Sequence, residues 1–326
     1  MKRLISYISG CAISALAMMA CGSAGSGSAN SNDSIPDNTV AKAEFCGDSA
    51  FAFVKAQCDF GARVPGTPAH KAAADYMVEM LKSWGAQVIE QKAPITTFDN
   101  TKIEIRNIIA QFNTDAAKRI LLIAHYDCRP WADADPVDAN RRKPVLGAND
   151  AASGVGVLLE VARQMGLKAP NIGVDILLCD LEDWGEEHNE ESWALGTQYW
   201  ASHPHVDGYR PMFGILLDMV GGAGATFSKE YFSTRYASSV VNEVWNIAAQ
   251  CGYGSVFVNS QGGAITDDHI AINRAGIPCI DIIHTVAGSD TGFFGAWHTT
   301  SDTLDNISTE TLTAVGTVIT TLIRQY

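Results

Sequence analysis

Strand-like and helix-like segments alternate along this chain, which predicts an α/β fold: an open three-layer sandwich around a central mixed, mostly parallel and twisted sheet. Three observations carry that reading. Short, largely apolar runs, such as residues 120–125 and 174–179, have the length and composition of strands buried on both faces. Longer segments with apolar residues every three to four positions separate them. Polar residues follow directly on the apolar runs, at the carboxyl ends of the expected strands, where ligands gather in sheets of this kind.

The elements follow in order. From about 45 to 84 the pattern is helical, with Ala72, Tyr76, Met80 and Leu81 on one face and Gly85 as the stop, and Arg63-Val64-Pro65-Gly66-Thr67 reads as a turn within it. Residues 87–89, 103–112 and 120–125 read as strands, and a helix is expected over 151–165. Two further buried strands are expected at 174–179 and 213–219, with Trp193 and Trp200 on helical sequence between them. A late strand covers 277–283, and a closing helix 309–323.

Length and composition set the frame around these elements. The 326 residues, 47% of them hydrophobic, suffice for a full core, and neither a linker nor a repeat interrupts the chain after about residue 45. One domain over 45–326 is therefore expected. The formal net charge of -13 excludes nucleic acid as a partner, because the only basic clusters are Lys2-Arg3 and Arg141-Arg142-Lys143.

The chain opens with basic Lys2 and Arg3, an apolar run over 4–19 and a small Ala20, which makes 1–20 an expected signal peptide. Met18-Met19-Ala20-Cys21-Gly22 resembles a lipoprotein cleavage site, so Cys21 is expected to carry lipid; a plain secretory peptide is the alternative. Residues 21–44, rich in Gly, Ser and Asn, suit a flexible tether. The expected location is the periplasm, with the protein held to a membrane through Cys21. Beyond Cys11 and Cys21 there are six cysteines. Cys46 and Cys58 are close enough in sequence to bridge in an oxidising compartment, whereas Cys179 and Cys279, inside strand-like runs, read as buried thiols.

The chemistry concentrates at the strand ends. His125-Tyr126-Asp127 follows one run, Asp180-Leu181-Glu182-Asp183 another, and Asp218 closes Ile215-Leu216-Leu217-Asp218. Asp150 in Gly147-Ala148-Asn149-Asp150 and His298 in Trp297-His298-Thr299 complete a set of carboxylates and imidazoles, the donor types that zinc takes. Singly, each has a plainer role: Asp150 as a helix cap, Asp218 in a turn, His298 at the surface. Their appearance together after successive core strands points to a metal site.

These motifs, together with Asp267-Asp268-His269, resemble the superfamily of zinc aminopeptidases and the glutaminyl cyclases built on the same zinc-exopeptidase-like fold. The resemblance runs from about residue 60 to the C-terminus. For the di-zinc aminopeptidases it implies that His125, Asp150, Asp183, Asp218 and His298 all bind metal and that Glu182 is the general base. For the cyclases it implies one zinc ion on Asp150, Asp183 and His298, with His125 outside the ligand set. Those enzymes place a Trp before the last His, as Trp297 stands here, and Trp193 and Phe293 match further aromatic walls. In their pattern Asp267 joins Glu182 and Asp218 in a hydrogen-bonded acid cluster, while His269 is structural. Animal cyclases carry two consecutive glutamates where this chain has Glu182-Asp183, which aligns it with a bacterial subgroup.

The cyclase branch implies conversion of N-terminal glutamine of peptides and proteins to pyroglutamate with release of ammonia, by a monomer in which Glu182 shuttles the proton. A di-zinc aminopeptidase is the alternative reading, and a binding module that kept the fold is the third.

Overall fold

Two antiparallel strands and a parallel core make up the main sheet of the protein, whose computed structural model describes residues 41–326. The expected signal peptide, Cys21 and the tether up to residue 40 lie outside the described residues. In chain order the elements are α1 (Gly47–Asp59), α2 (Pro68–Ser83), β1 (Gln87–Thr96), β2 (Lys102–Phe112), β3 (Arg119–His125), α3 (Ala152–Leu167), β4 (Gly173–Cys179) and α4 (Leu195–Ser202). Then come β5 (Gly214–Asp218), β6 (Phe227–Lys229), α5 (Tyr231–Gln250), β7 (Phe257–Gln261), α6 (Asp268–Arg274), β8 (Cys279–Ile283) and α7 (Thr309–Gln325). The sheet order is β1-β2-β4-β3-β5-β8, with β1, β2 and β4 antiparallel in turn and β4, β3, β5 and β8 parallel.

The apolar runs alternate between two cores, as the two-residue period of a strand requires. Ile120, Leu122 and Ala124 of β3 enter one cluster while Leu121 and Ile123 enter the other, and Ile215 and Leu217 of β5 are separated from Leu216 in the same way. On the first face lie α1, α3, α5 and α7, through residues such as Val54, Val155, Val244 and Val318. The second is covered by α4 and α6, through Trp200 and Ile272. Helices on both faces of a mostly parallel sheet give the three layers expected.

Several elements differ from their sequence reading. The helical stretch at 45–84 is two helices, parted at the Arg63–Thr67 turn, with the Thr67 hydroxyl accepting the His70 N–H at 3.3 Å. β1 runs for ten residues rather than three; it is an edge strand, and its exposed Glu90 and Lys92 mask it. Trp193 lies outside any α-helix, just after a single 3-10 turn, whereas Trp200 is on α4 and fully buried. Cys46 is exposed and Cys58 buried, and both are free thiols, so no bridge joins them.

Two devices bring the loop before α3 to the strand ends. Gly154 lets the helix press against the sheet: a Cβ there would stand 2.1 Å from the Leu217 carbonyl oxygen. Arg63, buried in the turn, donates from Nε to the Tyr126 carbonyl at 3.0 Å, from Nη1 to Leu146 at 2.9 Å and from Nη2 to Gly147 at 2.6 Å. One guanidinium thus satisfies three carbonyls near the end of β3 and in the loop leading to Asp150, groups whose burial unpaired would be costly.

Candidate active site

Five loops deliver the functional side chains to one edge of the sheet. His125 ends β3 and Asp218 ends β5. Glu182 and Asp183 follow β4, Asp150 precedes α3, and His298 lies in the long loop after β8. Three non-glycine residues here take left-handed backbone angles: Leu181 (φ 54°), Met219 (φ 48°) and His298 (φ 52°). Such conformations carry strain and persist where the surroundings enforce them, as they do at functional sites.

Asp150, Asp183 and His298 come together. Each offers a ligand atom within 4.8 Å of the others, with His298 Nε2 3.0 Å from Asp183 Oδ1 and 3.6 Å from Asp150 Oδ2. All three are buried. Neither oxygen of Asp183 receives a hydrogen bond, although His298 is so close. A buried carboxylate without donors, converging with a second carboxylate and an imidazole nitrogen, is the environment a zinc ion would complete, and three protein ligands leave a position open for substrate.

The supports of this triad were not apparent from sequence. Asp302 accepts the backbone N–H groups of Asn149 (2.9 Å) and Asp150 (3.0 Å); burial first, then the nearby Asp150, pushes its carboxyl up to about 7. Asp127 accepts those of Glu182 and Asp183, both at 3.1 Å. Asp133 Oδ1 lies 3.5 Å from His298 Nδ1 and is itself held by Arg129. Burial would raise the Asp133 carboxyl, but Arg129 and His298 outweigh it and hold the group below the usual carboxylate range. A carboxylate on the far nitrogen orients a histidine ligand. The only available sequence signal was the place of Asp127 in the His125-Tyr126-Asp127 triplet.

A second set overlaps the first. His125 Nε2 is 3.1 Å from Asp150 Oδ1 and 3.4 Å from Asp218 Oδ1, and these three residues also converge closely enough to hold a cation. His269, by contrast, is buried beside Glu230 at 3.3 Å and belongs to neither group.

Above the ligands lies a cavity of about 350 Å³ whose lining includes Glu182, Asp218, Asp267, Trp193, Phe293 and Trp297. Trp297 stacks on the His298 imidazole (centroids 3.6 Å apart, 17° between planes), Trp193 is parallel to the same ring at 6.1 Å, and Phe293 meets Trp297 at 4.8 Å. The Arg129 guanidinium lies 4.8 Å over Trp193.

Glu182, Asp218 and Asp267 are buried in this cavity. No hydrogen bond links them among the described residues; Asp267 Oδ1 instead accepts the Asp268 N–H that begins α6. They interact through space. Burial lifts Glu182 well above the usual range; His125 opposes, and Asp267, Asp183 and Asp268 add to the rise. Asp267 is raised by burial and then by Asp218 and Asp268. A carboxyl so placed accepts a proton more readily than one in water and holds it near neutral pH, where it can serve as the acid.

Comparison with known proteins identifies the family. The model for peptidase family M28 matches residues 107–323. The chain is similar to the solved structure of a Zn-dependent exopeptidase from Parabacteroides distasonis, at 49% identity over 88% of this chain and 100% of that one, with a TM-score of 0.86. It is similar also to a glutaminyl cyclase from Bacteroides thetaiotaomicron solved with N-acetylhistamine, at 45% identity over 88% of this chain and 100% of that one, TM-score 0.85. Among curated proteins, the bovine glutaminyl-peptide cyclotransferase is 23% identical over 81% of this chain and 78% of its own length.

Proposed function

The chain belongs to peptidase family M28, and we propose that within this family it converts N-terminal glutamine of peptides and proteins to pyroglutamate on one zinc ion held by Asp150, Asp183 and His298. The observation that carries this reading is the aromatic enclosure of the ligand triad, Trp297 stacked on His298 with Trp193 and Phe293 beside it. The likeness to a cyclase structure at 45% identity along its whole length supports the same reaction.

Held by Asp150, Asp183 and His298, a zinc ion would supply Lewis acidity toward the side-chain amide carbonyl. The aromatic walls hold the short neutral side chain of glutamine and exclude water, which favours attack by the substrate's own amine over hydrolysis. Glu182 takes a proton from the α-amine as its nitrogen bonds to the carbonyl carbon of the side-chain amide, and returns a proton to the amide nitrogen as the old C–N bond breaks and ammonia leaves. Asp267 discourages negative charge on Glu182 and so keeps it a usable acid, while Asp218 acts in the same way on Asp267.

The second cation-competent set, His125 with Asp150 and Asp218, favours one other reading, a di-zinc aminopeptidase with Glu182 activating water. Incubation with a peptide that begins with glutamine separates the two. Ammonia release with loss of one ammonia from the peptide mass is the expected result; a free amino acid would instead establish the peptidase.

The reading extends to location. A lipid carried by Cys21 would hold the enzyme, acting as a monomer, at a periplasmic membrane surface, and the motif Met18-Met19-Ala20-Cys21-Gly22 supports this. Cys21→Ser is expected to move the protein from the membrane fraction to the soluble one; membrane association unchanged by the substitution would refute the anchor.

A further inference from the structure

We infer that Glu230 is a positioning residue for this site: its buried carboxylate fixes the loop at 263–267 and, through that loop, Asp267. The inference rests on the cyclase reading.

Glu230 is only 2% exposed and sits just before α5. Its Oε1 accepts the N–H of Phe232 at 2.9 Å and that of Ile265 at 3.1 Å; its Oε2 accepts the N–H of Ser233 at 2.5 Å and its hydroxyl at 2.7 Å. Two of these bonds are an ordinary helix cap. The bond to Ile265 is not. Residues 264–267 line the catalytic cavity, and among the described residues that bond is the one hydrogen bond made by 264–266, between the backbone anchor at Gly263 and the start of α6.

The side chain's length explains the choice of residue. Helix caps are usually Ser, Thr, Asp or Asn, whose short side chains reach the first turn of their own helix and no further. Glutamate is one methylene longer than aspartate, so one oxygen spans both the helix and the loop. The Ser233 hydroxyl extends the arrangement by accepting the Asp281 N–H at 2.9 Å, which ties in β8, whose last residue Ile283 also lines the cavity. On α6, two residues after Asp267, His269 Nε2 lies 3.3 Å from Glu230 Oε2. Burial would raise the Glu230 carboxyl, but His269 and the N–H groups of Ser233 and Phe232 outweigh it and draw it down to about 2. One anion thus organises α5, β8 and the pocket loop around the acid that acts on Glu182.

Two variants separate this role from capping alone. Glu230→Asp keeps the charge and the cap but falls short of Ile265. It is expected to fold with its helix content and bound zinc intact while kcat for cyclisation drops about ten-fold, since small displacements of catalytic groups cost rate steeply. Glu230→Gln leaves one acceptor oxygen facing four donors and is expected to lose at least as much. The decisive readout is a double-mutant cycle with Asp267→Asn: if Glu230 acts through Asp267, Glu230→Asp slows the Asp267→Asn enzyme no further. Multiplicative losses in the double variant, or a Glu230→Asp enzyme as fast as the parent, would overturn the inference. A parent protein that released no ammonia from the glutamine peptide would overturn the cyclase reading instead, and that is scored before any variant.

Discussion

Glu182→Gln is expected to lower kcat for cyclisation by about 10³-fold, within the usual range for losing a general acid–base group, while the protein keeps its zinc. The amide has the shape of the carboxyl but cannot take the proton of the attacking amine and return it to the departing nitrogen. Nothing that holds the metal changes with it: Asp150, Asp183 and His298 keep their side chains, and the backbone at 182 and 183 stays fixed by Asp127. Ammonia release measured beside the zinc content of the same sample checks the claim. Turnover within about two-fold of the parent, far below the losses ascribed to such groups, would remove Glu182 from the proton path and leave Asp218 or Asp267 to take its place.

Why Glu182 rather than its neighbours follows from what each carboxyl is already doing. Asp267 caps α6 and accepts the Asp268 N–H, and Asp218 faces His125 at 3.4 Å. The Glu182 carboxylate accepts no hydrogen bond among the described residues and faces the cavity beside the ligand set. Its longer side chain places the carboxyl free of its own backbone, which is held from behind by Asp127.

The parts of this site that were legible in the sequence are those whose signal is local. β3 and β4 are readable because burial on both faces leaves largely apolar runs, interrupted in β4 by Asp175, and α3 and α7 because their length and apolar content exceed what a strand would use. The motifs at the strand ends were readable because the carboxyl edge of such a sheet is where side chains converge. The sequence shows only part of β1, because an edge strand with one solvated face alternates weakly. Trp193 reads as helical in the sequence because spacing cannot distinguish a helical turn from the loop beside it. Asp302 and Glu230 were beyond reach for another reason: Asp302 grips backbone 153 and 152 residues away, and Glu230 grips it 35 residues away. No local pattern records such contacts. The ligands were therefore visible before the groups that hold them still.

Metal titration should find one equivalent of zinc, and His298→Ala should abolish both its binding and the cyclisation, whereas Asp218→Asn should leave the count at one. The geometry makes this a sharp test, because Asp150 belongs to both convergent sets, with His298 and Asp183 on one side and His125 and Asp218 on the other. A second divalent ion between His125 and Asp218 would lie close to Glu182 and stabilise its charged form. That suits hydrolysis, in which Glu182 deprotonates a water, but it weakens Glu182 as the acid that must protonate the leaving nitrogen. It would also draw Asp218 into coordination, away from its place beside Asp267. Lactam closure therefore favours a lone ion with His125 and Asp218 left as its polar surroundings. Two equivalents, with the second lost in His125→Ala or Asp218→Asn, would sink the single-zinc assignment and return the site to aminopeptidase chemistry.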